Sequence, residues 1–300
     1  MGKRILLLFV DGLGIGKADP QLNPFFRYKT RLFSEVFHEV PHTGKQYLRN
    51  GDLSLFPVDA SLGVPGIPQS GTGQISIFCG VNAPEIYGKH YGPYSPISLI
   101  PLIYEKNIFT EFIRQGKKPW FANAYPKPFF KYMHSGRKLK NVTAHCIDGS
   151  GLPFNKAASV RSGKALTAEL MNDRWNTRLG YKLPVITPLQ AALKLIKIAR
   201  RNDFTLFEYF YTDYMGHGRE YLPMEEFMSV FDQFVSGIIE NLPDEIEFLM
   251  VSDHGNFEDI SVKSHTLNPV MAIYKGERSD EAINNIKNLT DIKPFLTNTL

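Results

Sequence analysis

The sequence predicts an α/β fold, a mostly parallel sheet flanked by helices, in a single domain over residues 1–300. Three apolar runs predict it, because each closes on an acidic residue: Ile5 to Val10 before Asp11, Phe204 to Tyr211 before Thr212-Asp213, and Phe248 to Val251 before Ser252-Asp253. Helical patterns alternate with these runs, and strand–helix alternation argues parallel strands joined by crossover helices. Three hundred residues at 43% hydrophobic content suffice for one large core.

Taken in order, Ile5 to Val10 is continuously apolar and suits a strand buried on both faces, with Asp11-Gly12 at its C-terminal end. Pro68-Gln69-Ser70-Gly71-Thr72-Gly73-Gln74 is a Gly-rich turn that leads into the apolar stretch Ile75, Ile77, Phe78, Cys79. Residues from about 85 to 185 are rich in Pro, Gly, Tyr and Phe, and read as a small loop-rich cap around one strand, Pro119 to Tyr125. A helix is expected over Thr187 to Arg201, where Thr187 can cap and Pro188 suits the first turn. Its stripe is Leu189, Ala192, Leu193, Ile196 and Ala199. A second stripe, Met224, Phe227, Met228, Phe231, Val235 and Ile238, precedes the Phe248 strand.

Composition narrows the function classes. The 34 Lys plus Arg and 30 Asp plus Glu are spread along the chain, so a net +4 argues against a nucleic-acid partner. Two cysteines, Cys79 and Cys146, build neither a disulfide framework nor a cysteine zinc site. The first apolar run is only six residues long, too short for a signal segment or a membrane span. The expectation is therefore a cytoplasmic protein with no membrane partner. No heptad is visible, and monomer and homodimer are equally compatible with the sequence.

The chemistry concentrates in a few segments. Asp213-Tyr214-Met215-Gly216-His217, Asp253-His254-Gly255 and His265-Thr266-Leu267-Asn268-Pro269 hold three of the eight histidines, beside carboxylates at strand ends. Carboxylate and imidazole are ligand types that suit zinc, manganese or iron. In open parallel sheets ligands bind at the carboxyl ends of the strands, where these residues would collect. Taken singly, an Asp-His-Gly is more often a turn with a satisfied histidine, and Ser70 alone is more often a helix cap. A small hydroxyl residue in a Gly-rich turn at a helix N-terminus also presents an oxygen nucleophile where backbone N–H groups and the helix dipole favour a phosphate. Thr72 is the rival hydroxyl in that turn.

Asp11-Gly12, Ser70 with Gly73, Asp213 with His217, Asp253-His254-Gly255-Asn256 and His265-Thr266-Leu267-Asn268-Pro269 occur in the order seen in the alkaline phosphatase superfamily. The sequence resembles most its cofactor-independent phosphoglycerate mutase and phosphopentomutase branch. The phrase from Gln69 to Val81 also resembles the nucleophile helix of the alkaline phosphatases. This resemblance covers roughly the first ninety and last hundred residues. It implies an alkaline-phosphatase-like fold and two divalent ions, Mn²⁺ or Zn²⁺. Asp11, Ser70, Asp253 and His254 would hold one ion, and Asp213, His217 and His265 the other, with Ser70 the catalytic nucleophile. The chain is too short for the large inserted domain of the mutases, and Gln74 stands where that branch has a histidine.

The function these expectations imply is two-metal hydrolysis of a phosphate ester through a phosphoserine on Ser70, the partner being a small phosphorylated substrate. A phosphomutase, or a phosphodiesterase or nucleotide pyrophosphatase, is the alternative. Asn82 and His90 are candidate substrate-binding residues by their nearness in sequence to Ser70, although a packed asparagine and a solvated histidine read equally well. Arg161, Lys164 and Arg219 could pair with an anionic substrate, with surface charge their default. Gly12-Leu13-Gly14-Ile15-Gly16 after a buried strand invites a dinucleotide-binding reading, but its spacing is G-x-G-x-G. A non-catalytic protein that keeps the metal fold is a third reading.

Overall fold

Strand β1 (Arg4–Val10) is the centre of the protein, and its alternation explains why both sides of the sheet are covered. Leu6, Leu8 and Val10 face one apolar cluster while Ile5, Leu7 and Phe9 face the other, as the two-residue period of a strand requires. The computed structural model describes residues 3–135, 140–219 and 221–298. Residues 1–2, 136–139, 220 and 299–300, which fall within the expected domain, lie outside the described residues.

The other strands are β2 (Leu48–Asn50), β3 (Leu53–Val58), β4 (Pro119–Phe121), β5 (Phe204–Tyr209), β6 (Ile246–Val251) and β7 (Val270–Lys275). Among the described residues they form one sheet in the order β2-β3-β7-β6-β1-β5-β4. β6, β1, β5 and β4 run parallel, in register from Ile5 opposite Phe204 and from Arg4 opposite Ile246. β7, β3 and β2 add an antiparallel wing that strand–helix alternation does not predict. The architecture is α/β, with a mostly parallel, mixed sheet flanked by helices.

Helices Pro188–Ala199 and Met224–Asn241 cover one face. The first opens on a capping box in which Thr187 and Gln190 satisfy each other's backbone N–H, so the expected start holds to the residue. Helices Ser70–Cys79, Ile100–Lys106, Ile108–Arg114, Val142–Ser150 and Ile292–Thr297 cover the other face. Residues 85–185, expected as a loop-rich cap, thus hold short helices joined by loops, some of them packed beneath the sheet. The strand expected over Pro119 to Tyr125 is shorter than its apolar run. Beyond Phe121 the Ala122 N–H still donates to Leu206 of β5, the Asn123 side chain then takes the place of the backbone on Glu208, and single bridges run from Asn123 to Leu166 and from Ala124 to Asn155. No described helix is long and apolar enough to cross a membrane.

Candidate metal centre

The carboxyl ends of β1, β5 and β6 lie side by side in the sheet, and each of these strands leads into an acidic segment. Asp11 directly follows β1, and its backbone N–H donates to the Tyr209 carbonyl at the end of β5. Asp213 is not at the strand end itself. It sits in the short helix Tyr211–Gly216, so that His217, four residues on, falls on the same side one turn later. Its Nε2 is 3.3 Å from Asp213 Oδ2. Asp253 and His254 leave β6 fully buried. His265 returns on the segment before β7, where Thr266 pairs with Gly255.

Ser70 is the first residue of helix Ser70–Cys79, and its Oγ lies 3.0 Å from His254 Nε2. The helix can come this close because a Cβ on Gly73 would stand 2.9 Å from the Asp253 carbonyl oxygen. Gln74 fills the next position and donates to Asp253 Oδ2 at 3.2 Å. The Thr72 side chain is fully buried, and its hydroxyl takes the Tyr91 N–H at 3.1 Å. Ser70 is therefore the hydroxyl of this turn that reaches the cavity.

Two donor sets result. Asp11, Asp253 and His254 bring one ligand atom each within 4.8 Å of one another, and so do Asp213, His217 and His265. Each histidine has its Nδ1 turned to a backbone carbonyl: His265 to Pro68 at 2.8 Å, His217 to Lys263 at 2.8 Å, His254 to Gly255 at 3.3 Å. A carbonyl only accepts, so Nδ1 carries the proton and every neutral ring aims the Nε2 lone pair inward. His217 Nε2 and His265 Nε2 thereby face each other at 3.3 Å, with Asp213 Oδ1 3.6 Å from the latter. Asp11 Oδ1 is buried 3.2 Å from His254 Nε2, outside hydrogen-bonding geometry. Three Nε2 atoms and the carboxylates of Asp11, Asp213 and Asp253 thus converge at 3.2–3.6 Å, a set of nitrogen and oxygen donors that a divalent cation would satisfy.

The titration of these groups reflects the same crowding of like charge. Burial, then Asp253 and Asp213, push Asp11 well above the usual carboxylate range, and burial with Asp213 raises Asp253. Burial would lower His254, but the carboxylates of Asp253 and Asp11 outweigh it and hold the ring up at about 10. Burial and the neighbouring His254 push His265 down to about 4. Asp213 is raised by burial but drawn down to about 2 by His217 and His254.

Several residues of the site were not anticipated. Asn256 donates to Asp213 Oδ1 at 2.6 Å. Glu258, almost fully buried, accepts from the Gly14 and Asn256 backbones at 2.8 Å each, from Asn268 at 3.0 Å and from the Thr266 hydroxyl. One carboxylate thus ties the loop after β1 to the Asp-His-Gly-Asn and His-Thr-x-Asn-Pro segments. A Cβ on Gly14 would stand 2.5 Å from Glu258 Oε1, which gives the G-x-G-x-G run a packing reason and leaves no room there for a pyrophosphate. Glu208, on β5, is buried and raised to about 7, and accepts from Thr143 at 2.8 Å.

A cavity of about 530 Å³ opens onto Ser70, Asp11 and Asp213, with Tyr94, Glu208 and Arg219 on its wall. Asn82 and His90 do not line it. Asn82 caps helix Ala83–Tyr87 and donates to the Leu62 carbonyl, while His90 Nε2 lies 3.1 Å from the Val64 carbonyl beside a separate surface cleft. Helix Ser70–Cys79 carries the chain away from the site before Asn82, whereas His90 comes back beside the Ser70 turn, where Tyr91 bonds Thr72, but faces the cleft that Gln69 and Gly66 line and not the cavity. Of the three candidate cations, Arg219 lines the Ser70 cavity. Arg161 is exposed at the end of helix Ala157–Arg161, and Lys164 lines a cleft beside Trp120.

A family model described as Metalloenzyme superfamily matches residues 185–300, the segment that carries Asp213, His217, Asp253, His254 and His265. No curated protein matches the chain. Among solved structures it is similar to the PH0037 protein from Pyrococcus horikoshii, at 14% identity and a TM-score of 0.56 over 100% of this chain and 98% of that one. It is also similar to the alkaline phosphatase from the Antarctic bacterium TAB5, at 12% identity and a TM-score of 0.53 over 100% and 98% of the two chains. The likeness is one of fold, alkaline-phosphatase-like. The match to the Metalloenzyme superfamily model is confined to residues 185–300, and none of these comparisons singles out the phosphomutase branch.

Proposed function

We propose that this chain is a two-metal-dependent hydrolase of phosphate esters that acts through a phosphoserine on Ser70. The observation that carries the reading is the position of Ser70 Oγ, 3.0 Å from the His254 Nε2 that belongs to one donor set while His265 of the other lies against the same ring. Asp11, Ser70, Asp253 and His254 would hold one divalent ion, manganese or zinc, and Asp213, His217 and His265 the other. Ions bound there supply charge neutralisation, a lowered pKa for the seryl hydroxyl and a hold on the phosphate oxygens.

The chain's own residues do the rest. Ser70 Oγ gives up its proton to solvent and forms the bond to phosphorus while the bond to the leaving oxygen breaks, and that oxygen takes up one proton from solvent as it departs, so the step is proton-neutral. Water then attacks the phosphoserine and returns the Ser70 hydroxyl, so one difficult displacement is split into two. The N-terminus of helix Ser70–Cys79 directs its backbone dipole toward the phosphate. Arg219, on the cavity wall, meets phosphate charge from the open side. A second substrate hydroxyl in place of water would make the same site a phosphomutase.

The test is turnover of p-nitrophenyl phosphate and bis-p-nitrophenyl phosphate by metal-stripped protein given Mn²⁺ or Zn²⁺, with Ser70→Ala and His254→Ala alongside. Metal-restored product release lost in both variants, with phosphate trapped on Ser70 after acid quench, supports the reading. Two bound ions without turnover of either ester or transfer to an added alcohol would sink it.

A further inference from the structure

A second cavity, about 740 Å³, adjoins the one at Ser70, and Asn141, Glu208, Phe210 and Tyr214 line both. Its size falls in the range of about 300–1,000 Å³ common for small-molecule sites. Its walls are aromatic, from Tyr125, Phe129, Trp175 and Tyr211, and it also carries two guanidinium groups, Arg174 and Arg178. Neither arginine is in an ion pair among the described residues. Arg174 lies instead over the Tyr221 ring, 5.2 Å from its centroid.

Phe210 joins the two spaces. It follows β5 and precedes the helix that carries Asp213, so its ring stands between the two cavities. It is 39% exposed, although it lies beside a cluster of buried carboxylates and is stacked on Tyr211 at a centroid distance of 4.6 Å. A ring left open to water at that point offers a face to whatever extends from the phosphate at Ser70. Glu208 on the shared wall offers an acceptor for a sugar hydroxyl between the two.

We propose that this second cavity is the leaving-group subsite for a nucleoside carrying at least two phosphates. One phosphoryl group lies at Ser70, the base lies against the open face of Phe210, whose other face is backed by the Tyr211–Tyr221 stack, and Arg174 and Arg178 hold the other phosphate. This rests on the hydrolase reading for its chemistry but not for its binding. A sugar phosphate uses none of the aromatic faces, a lipid chain uses neither arginine, and a plain aryl phosphate leaves both cations idle. Base stacking on an aromatic side chain contributes about 1–3 kcal/mol, which is about 5- to 150-fold in affinity.

Two measurements separate failure of the subsite from failure of the chemistry. The first is calorimetric binding of ADP, adenosine 3′,5′-bisphosphate, AMP and ribose 5-phosphate to metal-loaded Ser70→Ala protein. The two-phosphate nucleotides should bind about tenfold or more tighter than ribose 5-phosphate. Phe210→Ala and Arg178→Ala, both at exposed positions, should each erase most of that ratio. The second is kcat/KM of the unmodified protein for the same four compounds, which should follow the same order. Equal binding of all four, or a ratio untouched by both substitutions, overturns the subsite. Selective nucleotide binding without turnover keeps the subsite and removes only the hydrolase reading.

Discussion

The imidazole of His254 lies flat against that of His265, ring centroids 3.6 Å apart and planes 11° from parallel. The two rings belong to different donor sets, so each set forms part of the wall of the other. His265→Ala should therefore reduce bound metal from two ions to one and weaken the remaining ion by about 10–100-fold, the usual effect of losing a supporting contact. Metal analysis with calorimetry checks this. Two ions at unchanged affinity in the variant would show the sets to be independent.

Buried carboxylates that face each other destabilise the metal-free protein, and a cation reverses the sign. Adding Mn²⁺ or Zn²⁺ at a hundred times its dissociation constant should stabilise the fold by about 2.7 kcal/mol per site. Asp11→Asn should raise the melting temperature of the stripped protein, since burial and the Asp253 and Asp213 charges oppose the Asp11 carboxylate. The same variant should lose most of the gain on metal addition. Calorimetric melting with and without chelator reads both effects, and a variant less stable in both states would refute the account.

Glu258 is the residue whose loss should be felt most away from the donor atoms. Glu258→Ala leaves the Gly14 and Asn256 backbone N–H groups buried without an acceptor. The expected destabilisation is about 3 kcal/mol or more, with Glu258→Gln milder because it keeps one oxygen acceptor. Urea unfolding midpoints rank the two. Equal stability of both variants and the parent would mean that the clamp contributes nothing.

His145 is buried, both of its ring nitrogens lack a partner, and burial pushes it down to about 4. Its unfolded counterpart takes up a proton near pH 6.5. Between these values the unfolded chain binds more protons, so the stability present above pH 6.5 is lost as pH falls toward 4. His145→Leu should flatten the stability profile in that window relative to the parent, while the other histidines keep their contribution. Parallel profiles would show that His145 does not titrate differently on folding.

Burial pushes the Cys79 thiol up to about 12 and the Cys146 thiol also well above its ordinary value. Neither should react with a disulfide reagent at neutral pH in the folded protein, and both should react once it is unfolded in urea. Labelling of the native chain within minutes would contradict their burial.

The convergence of seven side chains was legible because their types are uncommon and fall in short segments beside apolar runs, after the run for Asp11, Asp213, His217, Asp253 and His254 and before it for Ser70 and His265. Asp11 follows β1 directly and Asp253 follows β6 after Ser252, and parallel neighbours must deliver their ends to one edge. The antiparallel wing was not legible. Pro57 lies within β3 and argues against a strand, and Val270 to Lys275 follows a motif that drew attention to its ligands instead. Asn82 and His90 misled in different ways. The ten-residue helix that begins at Ser70 spans about 15 Å, so Asn82 just beyond it is close in sequence and remote in space, while His90 returns beside the Ser70 turn on its outer side, in a cleft of its own. Glu258 and the aromatic cavity depend on pairings between distant segments, and no spacing in a single sequence reveals those.

β1 has both of its sheet partners late in the chain, since it pairs with Phe204–Tyr209 on one side and Ile246–Val251 on the other. During synthesis the most apolar strand of the protein therefore leaves the ribosome with two open edges, and it keeps them until most of the chain has emerged. Nascent chains halted in this interval should bind holding chaperones and aggregate when released, because an unpaired apolar strand is a template for another. The donor set of Asp213, His217 and His265 is complete only after that closure. Loading of its ion is thus a late event in the life of each molecule, dependent on a finished sheet.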